Sequence, residues 1–491
     1  MSPKSWGSRS NIEFVIRILT MFALWAIASW HRLRALDEAV IGSDSLGPYL
    51  QAWAAHTGHL PRPPNPESGD ALWVTAWPLV ALSSDLSSLF QLRFIVGGLI
   101  APIGFLAAWT WASKETSSTR RWAGALATGI FLAFDSGLLD TLVSGARSYG
   151  APELIGISVL CLAYGLRGNR WGVPAAACSF VLAAGHHPLA AGACLGLLPL
   201  LPTLRHRVGD RTLKIAAIVG AVCIIPRVLR VGSIAMCGEG PVQCLQQVAQ
   251  SNVSDTTPLL ATLKVALHDR WLVDLGDSGI MLLFGLLAIA MCKSSHHRLI
   301  AWATVAAYCG VLCFGAATGY IRSYHLRILA VPIAVAAGMG LARLWPLAVA
   351  AAVVFTIQLQ GELPVGPDSG ATQRADQIAT MLPEGPIWVD RLWWNGEPKT
   401  DASAVVLSSL LAGRSNHSLD NNTQFALLTS GEGPMRTAHM SGDGWSVLLF
   451  SSSIEARSWL DMQSQTPHQI GGAYDWATIL DPDTTLEDAH W

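Results

Sequence analysis

Phe14-Val-Ile-Arg-Ile-Leu-Thr-Met-Phe-Ala-Leu-Trp-Ala-Ile-Ala-Ser-Trp30 is an almost unbroken apolar run, close to the roughly 20 residues needed to cross the hydrocarbon core of a bilayer. No small-residue cleavage site follows it, so it reads as a retained anchor rather than a removable signal. Like runs recur near 91–112, 122–141, 151–167, 171–186, 187–202, 213–232, 271–292, 299–318, 327–342 and 345–360. Together they predict a mainly α fold: a polytopic bundle of about eleven transmembrane helices over residues 1–360, with a long first outer loop at 31–90. A small soluble α/β domain is expected at 361–491.

Composition agrees with a membrane chain. Hydrophobic residues make up 51% of the 491 and charged residues 13%, with mean hydropathy +0.38, where a soluble chain carries about a quarter charged residues. The shortage lies in the first 360 residues. Trp30, Trp122, Trp171, Trp271 and Trp345 stand at the edges of apolar runs, where an amphipathic indole meets the lipid headgroups. A net charge of −2 gives no electrostatic footprint for nucleic acid.

The connections carry a direction. Lys4 and Arg9 precede the first span; Lys114, Arg120 and Arg121 follow the second; Arg167 and Arg170 the fourth; Arg205, Arg207, Arg211 and Lys214 the sixth; Lys293 and Arg298 the eighth; Arg343 the tenth. Every even-numbered span is thus followed by a basic segment, as the positive-inside rule requires of the cytoplasmic side. The N-terminus is then expected in the cytoplasm, and residues 31–90, 233–270 and 361–491 outside, across a bacterial inner (plasma) membrane. Seven of the nine cysteines fall in or beside apolar spans, where a thiol behaves as a small hydrophobe. Cys237 and Cys244 lie in an outer polar loop, where a short disulfide loop is expected. No cysteine spacing matches a zinc site.

The first outer loop is rich in signals. Leu46, Tyr49, Leu50, Trp53 and Ala54 follow the helical apolar period, and Asp44 stands where that helix opens, as an N-cap or as a functional carboxylate. Residues 72–82 are apolar but too short to span, which suits a segment lying on the membrane surface. Between them, Pro61 to Glu67 reads as a rigid linker.

Candidate groups gather on the outer side. Asp37, Glu38, Asp44, His56 and His59 come from the first loop, Arg147 and Tyr149 from the second, His186 and His187 from the third, and Arg322, Tyr324, His325 and Arg327 from the fifth. Carboxylates suit a base acting on a hydroxyl. Arginines suit a phosphate leaving group, through paired charge-assisted hydrogen bonds. Asp135 and Glu153, near outer span ends, are candidates because ionisable groups inside a membrane are functional by default; Asp140 is a further one. Arg93 opens the second span, as a substrate contact or as a side chain snorkelling to the interface. His186 and His187 form a pair suited to metal or phosphate, or to capping and packing.

The layout resembles the GT-C superfamily of multi-span glycosyltransferases that use polyprenyl-phosphate sugars, over roughly residues 10–345. The likeness rests on the first span, the acidic loop with Asp37-Glu38 and Gly42-Ser-Asp44-Ser, and the Tyr49-to-Trp53 helix ending in Gly58-His-Leu-Pro. It extends to Pro78-Leu and Leu89-Phe, Arg93, and the late segment Arg322-Ser-Tyr-His-Leu-Arg-Ile-Leu-Ala-Val-Pro. The resemblance is to the mannosyltransferase and aminoarabinose-transferase branches. It implies a catalytic carboxylate early in the first outer loop: Asp44 by context, Asp37 with Glu38 by sequence. It also implies Arg93, Arg147, Tyr149, His186, His187, Arg322, His325 and Arg327 as substrate contacts. A polyprenyl-phosphate sugar donor and a lipid, glycan or protein acceptor would be the partners, with a divalent metal as an open possibility and no other cofactor.

In the C-terminal part, helices are read at 372–381, 401–411 and 454–462, and strands at 386–390 and 445–451. Trp393-Trp394 before Asn395-Gly396 suits either a sugar-stacking turn or core packing. No Gly-rich phosphate loop and no nucleophile elbow is seen. Two readings from other classes stay open: a transporter or flippase, which calls for broken helices and paired polar groups at mid-membrane, and a non-catalytic scaffold for envelope assembly.

Overall fold

A computed structural model describes residues 4–36, 78–83, 86–112, 117–135, 137–138, 150–234, 264, 268, 270–271, 275–292, 295–318, 323–359, 387–393, 424–430, 440–442, 445–450 and 469–470. The chain is mostly helical. Helix α1 (Lys4–Leu36) is followed by α2 (Leu86–Gly97), α3 (Ile100–Trp111), α4 (Ser118–Phe134), α5 (Ala151–Leu166) and α6 (Gly172–His186). After a 3-10 segment, Pro188–Leu197, come α7 (Leu201–Ile234), α8 (Gly276–Ala290) and α9 (Ser295–Thr318). A second 3-10 segment, Ser323–Leu329, leads into α10 (Ala330–Leu341), and a third, Ala342–Leu344, into α11 (Trp345–Leu359).

Helix termini follow local chemistry. The Ser117 hydroxyl caps α4 by accepting from the Arg120 amide at 3.3 Å. Pro152 sits in the first turn of α5, where its missing N–H costs nothing, and Glu153 meets the positive end of the helix dipole. Gly168 ends α5 at φ +90, and the amide of Asn169 reaches back to the Tyr164 carbonyl at 3.1 Å.

Among the described residues, four segments can cross a membrane by length and composition: Asn11–Arg34, Gln91–Trp111, His297–Ala316 and His325–Ile357. Shorter apolar helices are Ala151–Leu166, Gly172–His186 and Ser278–Ala290. Phe22, Ile218, Phe284, Val353 and Ile357 stand exposed on helix faces, too much contiguous apolar surface to face water and appropriate to lipid. The chain is an integral membrane protein.

Helices touch where side chains are smallest. A Cβ placed on Gly340 would collide with the Gly285 carbonyl, and one on Gly285 with the Ala337 carbonyl, so α8 and α10 cross with backbones in contact. Gly192 and Gly310 do the same between the first 3-10 segment and α9. Where these backbones close, hydroxyls bridge. Thr128 Oγ1 lies 2.9 Å from the Gly124 carbonyl and 3.1 Å from that of Ala334, tying α4 to α10. Trp25 Nε1 donates to the Ile95 carbonyl at 2.9 Å, tying α1 to α2.

At residues 187–232 the expected sixth span begins as the 3-10 segment, and the expected basic loop is helical. Within α7 two helices meet at a kink at Gly209, whose φ of +80 a side-chain-bearing residue would resist, and the expected seventh span lies on the second of them. Arg205, Arg207, Arg211 and Lys214 are good helix formers and lie on α7. Across the break Arg205 grips Asp210 at 2.6 and 3.0 Å, and the side-chain hydrogen bond holds that exposed carboxyl below its ordinary range.

The C-terminal part contributes a five-stranded sheet: β1 (Ile387–Trp393), β2 (Gln424–Ser430), β3 (Met440–Gly442), β4 (Trp445–Phe450) and β5 (Gln469–Ile470), in the order β3-β4-β2-β1-β5. β1 and β2 run parallel with Ile387 opposite Gln424, and the other pairings are antiparallel. The strands expected at 386–390 and 445–451 are β1 and β4. Trp393 closes β1, opposite Gln469, so it belongs to the ladder and not to a turn. The helices expected at 372–381, 401–411 and 454–462, the surface helix at 44–58 and the Cys237–Cys244 loop lie outside the described residues. Of the apolar segment at 72–82, residues 78–81 form one helical turn that buries Leu79 and Val80.

Candidate functional site

Seven elements end or begin at one end of the bundle, and each delivers a buried polar side chain there. α1 closes with Arg32 and α2 carries Arg93. Asp135 caps the C-terminus of α4 and Glu153 lies in the first turn of α5. His186 ends α6, Arg270 precedes α8, and His325 and Arg327 occupy the 3-10 turn before α10. All are buried except Glu153, which is partly so; Arg32, Asp135 and Arg270 are each only 1% exposed.

The cluster is tightly connected. Arg93 Nη1 and Nη2 both donate to Glu153 Oε1, at 3.1 and 3.2 Å. Asp135 Oδ1 accepts the amides of Gly137 and Leu138 at 2.9 and 3.3 Å, and its Oδ2 lies 3.7 Å from Arg270 Nη2. A Cβ on Gly137 would sit 2.9 Å from Arg270 Nη1, 3.0 Å from Arg327 Nε and 3.1 Å from Asp135 Oδ1, so these three groups converge on a glycine. Arg32 donates to the carbonyls of Ala28, Ala133 and Leu132 at 3.1 to 3.3 Å and lies in the fields of Glu153, Asp135 and Arg93. His186 faces Gly150 and lies in the field of Arg93 and His187. The His187 and His325 rings are 4.9 Å apart, and His187 Nδ1 accepts the Leu189 amide.

Four guanidinium groups (Arg32, Arg93, Arg270, Arg327) and two carboxylates (Asp135, Glu153) come together here among the described residues. Guanidinium forks of this kind suit an oxyanion such as phosphate, through paired charge-assisted hydrogen bonds. Among the described residues no group of three or more metal-ligating side chains gathers.

The sequence-derived candidates divide accordingly. Arg93, His186, His187, His325 and Arg327 are brought to one end of the bundle, with Asp135 and Glu153. Asp37, Glu38, Asp44, Asp140, His56, His59, Arg147, Tyr149 and Arg322 lie outside the described residues, as does the side chain of Tyr324. The Arg93 head is buried against Glu153. Arg32 and Arg270 escape sequence reasoning, because basic residues at span ends read as ordinary flanks. One signal is available: both lie at the ends assigned to the outer side, where lysine and arginine are scarce.

No protein-family model matches the chain, and no curated protein matches it by sequence. The comparison with solved structures is informative. The crystal structure of ArnT from Cupriavidus metallidurans bound to undecaprenyl phosphate aligns over 91% of this chain and 98% of its own, with a TM-score of 0.58 and 13% identity. The chain shares the fold of that protein. At that identity the likeness concerns the fold alone. The cryo-EM structure of arabinosyltransferase EmbB from Mycobacterium smegmatis aligns over 79% of this chain and 36% of its own, with 14% identity and a TM-score of 0.39, too low to bear on the fold.

Proposed function

We propose that this chain is a GT-C membrane glycosyltransferase that moves a sugar from a polyprenyl-phosphate donor to a hydroxyl acceptor, whether lipid, glycan or protein, on the outer face of a bacterial inner membrane. The observation that carries the reading is the convergence of the buried Arg270 and Arg327 guanidiniums on Gly137, with Arg93 and Arg32 in the same cluster, which suits a lipid phosphate at the bilayer edge. The shared fold with a protein whose structure holds undecaprenyl phosphate supports the same ligand class.

In this reading about eleven spans leave the N-terminus in the cytoplasm and place the guanidinium end outside, with an extracytoplasmic α/β domain at 361–491. Asp44, or Asp37 with Glu38, takes the proton of the acceptor hydroxyl. The acceptor oxygen bonds to the anomeric carbon as the bond from that carbon to the phosphate oxygen breaks. Polyprenyl phosphate leaves carrying the electron pair, and Arg93, Arg270 and Arg327 stabilise its charge. Arg147, Tyr149, His186, His187, Arg322 and His325 complete the substrate contacts.

Membranes bearing the full chain and supplied with radiolabelled polyprenyl-phosphate sugar test this. Asp44→Asn or Asp37→Asn is expected to lower transfer by about 10²–10⁴-fold, the range for loss of a general base. Full activity in both variants removes the assigned base. Label crossing sealed vesicles with no new glycosidic product identifies a transporter instead.

A further inference from the structure

The opposite end of the bundle holds a second basic site. Asp135 and Arg121 lie on α4, His325 and Arg343 flank α10, and Arg93 and Ala112 bracket α2 and α3. Each pair is fourteen or more residues apart, about 20 Å or more along a helix axis. There α3, α4, α9 and the turn after α10 enclose a cavity of about 140 Å³, lined by Arg120, Arg121, Arg343 and His297 together with small apolar residues. A single water needs only about 15 Å³ on that measure. No carboxylate lines it among the described residues.

The arginines are held by neutral partners. Arg121 Nε donates to the Trp109 carbonyl at 2.9 Å, and its guanidinium lies 4.1 Å from the Trp109 ring centre. Arg343 Nη2 meets His297 Nδ1 at 2.9 Å. Arginine has only donors, so that nitrogen accepts and the imidazole there is neutral. Arg17, 5.2 Å from the same Trp109 ring, and Arg167 add further positive field at Arg121, which Glu13 opposes.

We propose that this cavity binds a phosphoryl anion, either the headgroup of an anionic phospholipid or free phosphate, at the end of the bundle remote from the transfer site. Three guanidinium groups suit a tetrahedral phosphoryl oxyanion, whose oxygens can accept from donors arriving from several directions. Arg120 is exposed and Arg343 half-buried, so a headgroup can reach them from the membrane surface while Arg121 fixes the base of the site.

The full chain, purified in uncharged detergent, is titrated by native mass spectrometry with phosphatidylglycerol and, separately, with inorganic phosphate; phosphatidylcholine, whose phosphate is balanced by its own choline cation, is the net-neutral reference. The expected result is anion binding weakened about tenfold or more in Arg120→Gln/Arg343→Gln, the effect of losing one good charge-assisted contact. Arg205→Gln, which removes an exposed arginine paired with Asp210 away from the cavity, is expected to bind as the parent does. Binding of phosphatidylglycerol alone assigns the site to a lipid headgroup, and of inorganic phosphate alone to a free anion. The single variant Arg120→Gln, with its exposed side chain, is expected to weaken binding about threefold and guards against misfolding of the double. No binding of either probe, unchanged binding in the double variant, or equal loss in Arg205→Gln overturns the proposal.

Discussion

Arg93 places both of its terminal nitrogens on one oxygen of Glu153, at 3.1 and 3.2 Å, and so fixes α2 against the first turn of α5. The two residues are sixty positions apart in sequence. Neither is a surface ornament, since both side chains are largely withdrawn from solvent. An ion pair in this setting contributes less by its attraction than by what is left when one partner goes.

Removing one partner is therefore expected to cost about 3–5 kcal/mol, and removing both far less. Glu153→Leu alone strands the guanidinium. Arg93→Met/Glu153→Leu leaves an apolar contact of similar volume. Thermal unfolding in detergent should place the double variant above either single one. A double variant no more stable than Glu153→Leu would mean that Arg93 is held by other groups.

Gly137 offers a cleaner probe of the site. Gly137→Ala introduces a methyl group within 3.0 Å of Arg270 and Arg327, closer than real Cβ contacts allow, while both guanidiniums are tethered by long side chains that can shift. Transfer activity is expected to fall by about tenfold or more, consistent with misplacement of positioned groups, with the unfolding midpoint little changed. A loss of stability without a loss of specific activity in the folded fraction would assign Gly137 to packing.

Packing makes its own prediction at the glycine crossings. Gly340→Ala drives a methyl group into the Gly285 carbonyl, and Gly310→Ala into that of Gly192. Backbone cannot yield as a side-chain tip can, so each should destabilise by about 1–3 kcal/mol, the cost of overpacking. Gly220→Ala meets its nearest neighbour at 3.7 Å and should be neutral or slightly stabilising, given the helix propensity of alanine. Expression and melting of the three variants in parallel would separate the cases.

These contacts also mark what could be seen in advance. Apolar length placed α5, α6, α9, α10 and α11 within a few residues, because a membrane imposes length on sequence. At 187–202 a 3-10 segment stands where a span is expected, since periodicity does not tell a tight helical segment from an α-helix. Of the buried cluster, Arg93, Asp135, Glu153, His186, His187, His325 and Arg327 were legible as polar residues at span ends. Arg32 was not. Its burial depends on α4 ending where the carbonyls of Leu132 and Ala133 face it, a tertiary fact with no local trace. β2 was missed for a similar reason: Phe425 to Leu428 is a short apolar run that becomes a strand only between β1 and β4.

Arg32 carries the last prediction, because its two possible roles separate by substitution. Its Nη1 and Nη2 reach the Ala133 and Leu132 carbonyls at 3.3 Å, at the negative end of the α4 dipole, while Nη1 also reaches Ala28 within α1. Lysine keeps the charge but has no planar fork, so Arg32→Lys can serve one carbonyl at a time. If Arg32 acts by holding α4, and through Asp135 the Gly137 turn, Arg32→Lys should lose about 1–2 kcal/mol, the worth of one or two charged hydrogen bonds. Activity would fall with it and at every donor concentration, as a change in kcat. If Arg32 acts by its charge on the donor phosphate, lysine should preserve kcat and raise KM modestly, while Arg32→Met raises KM sharply. Measuring both constants for the two variants, beside their unfolding midpoints, decides between anchoring a helix and attracting a substrate.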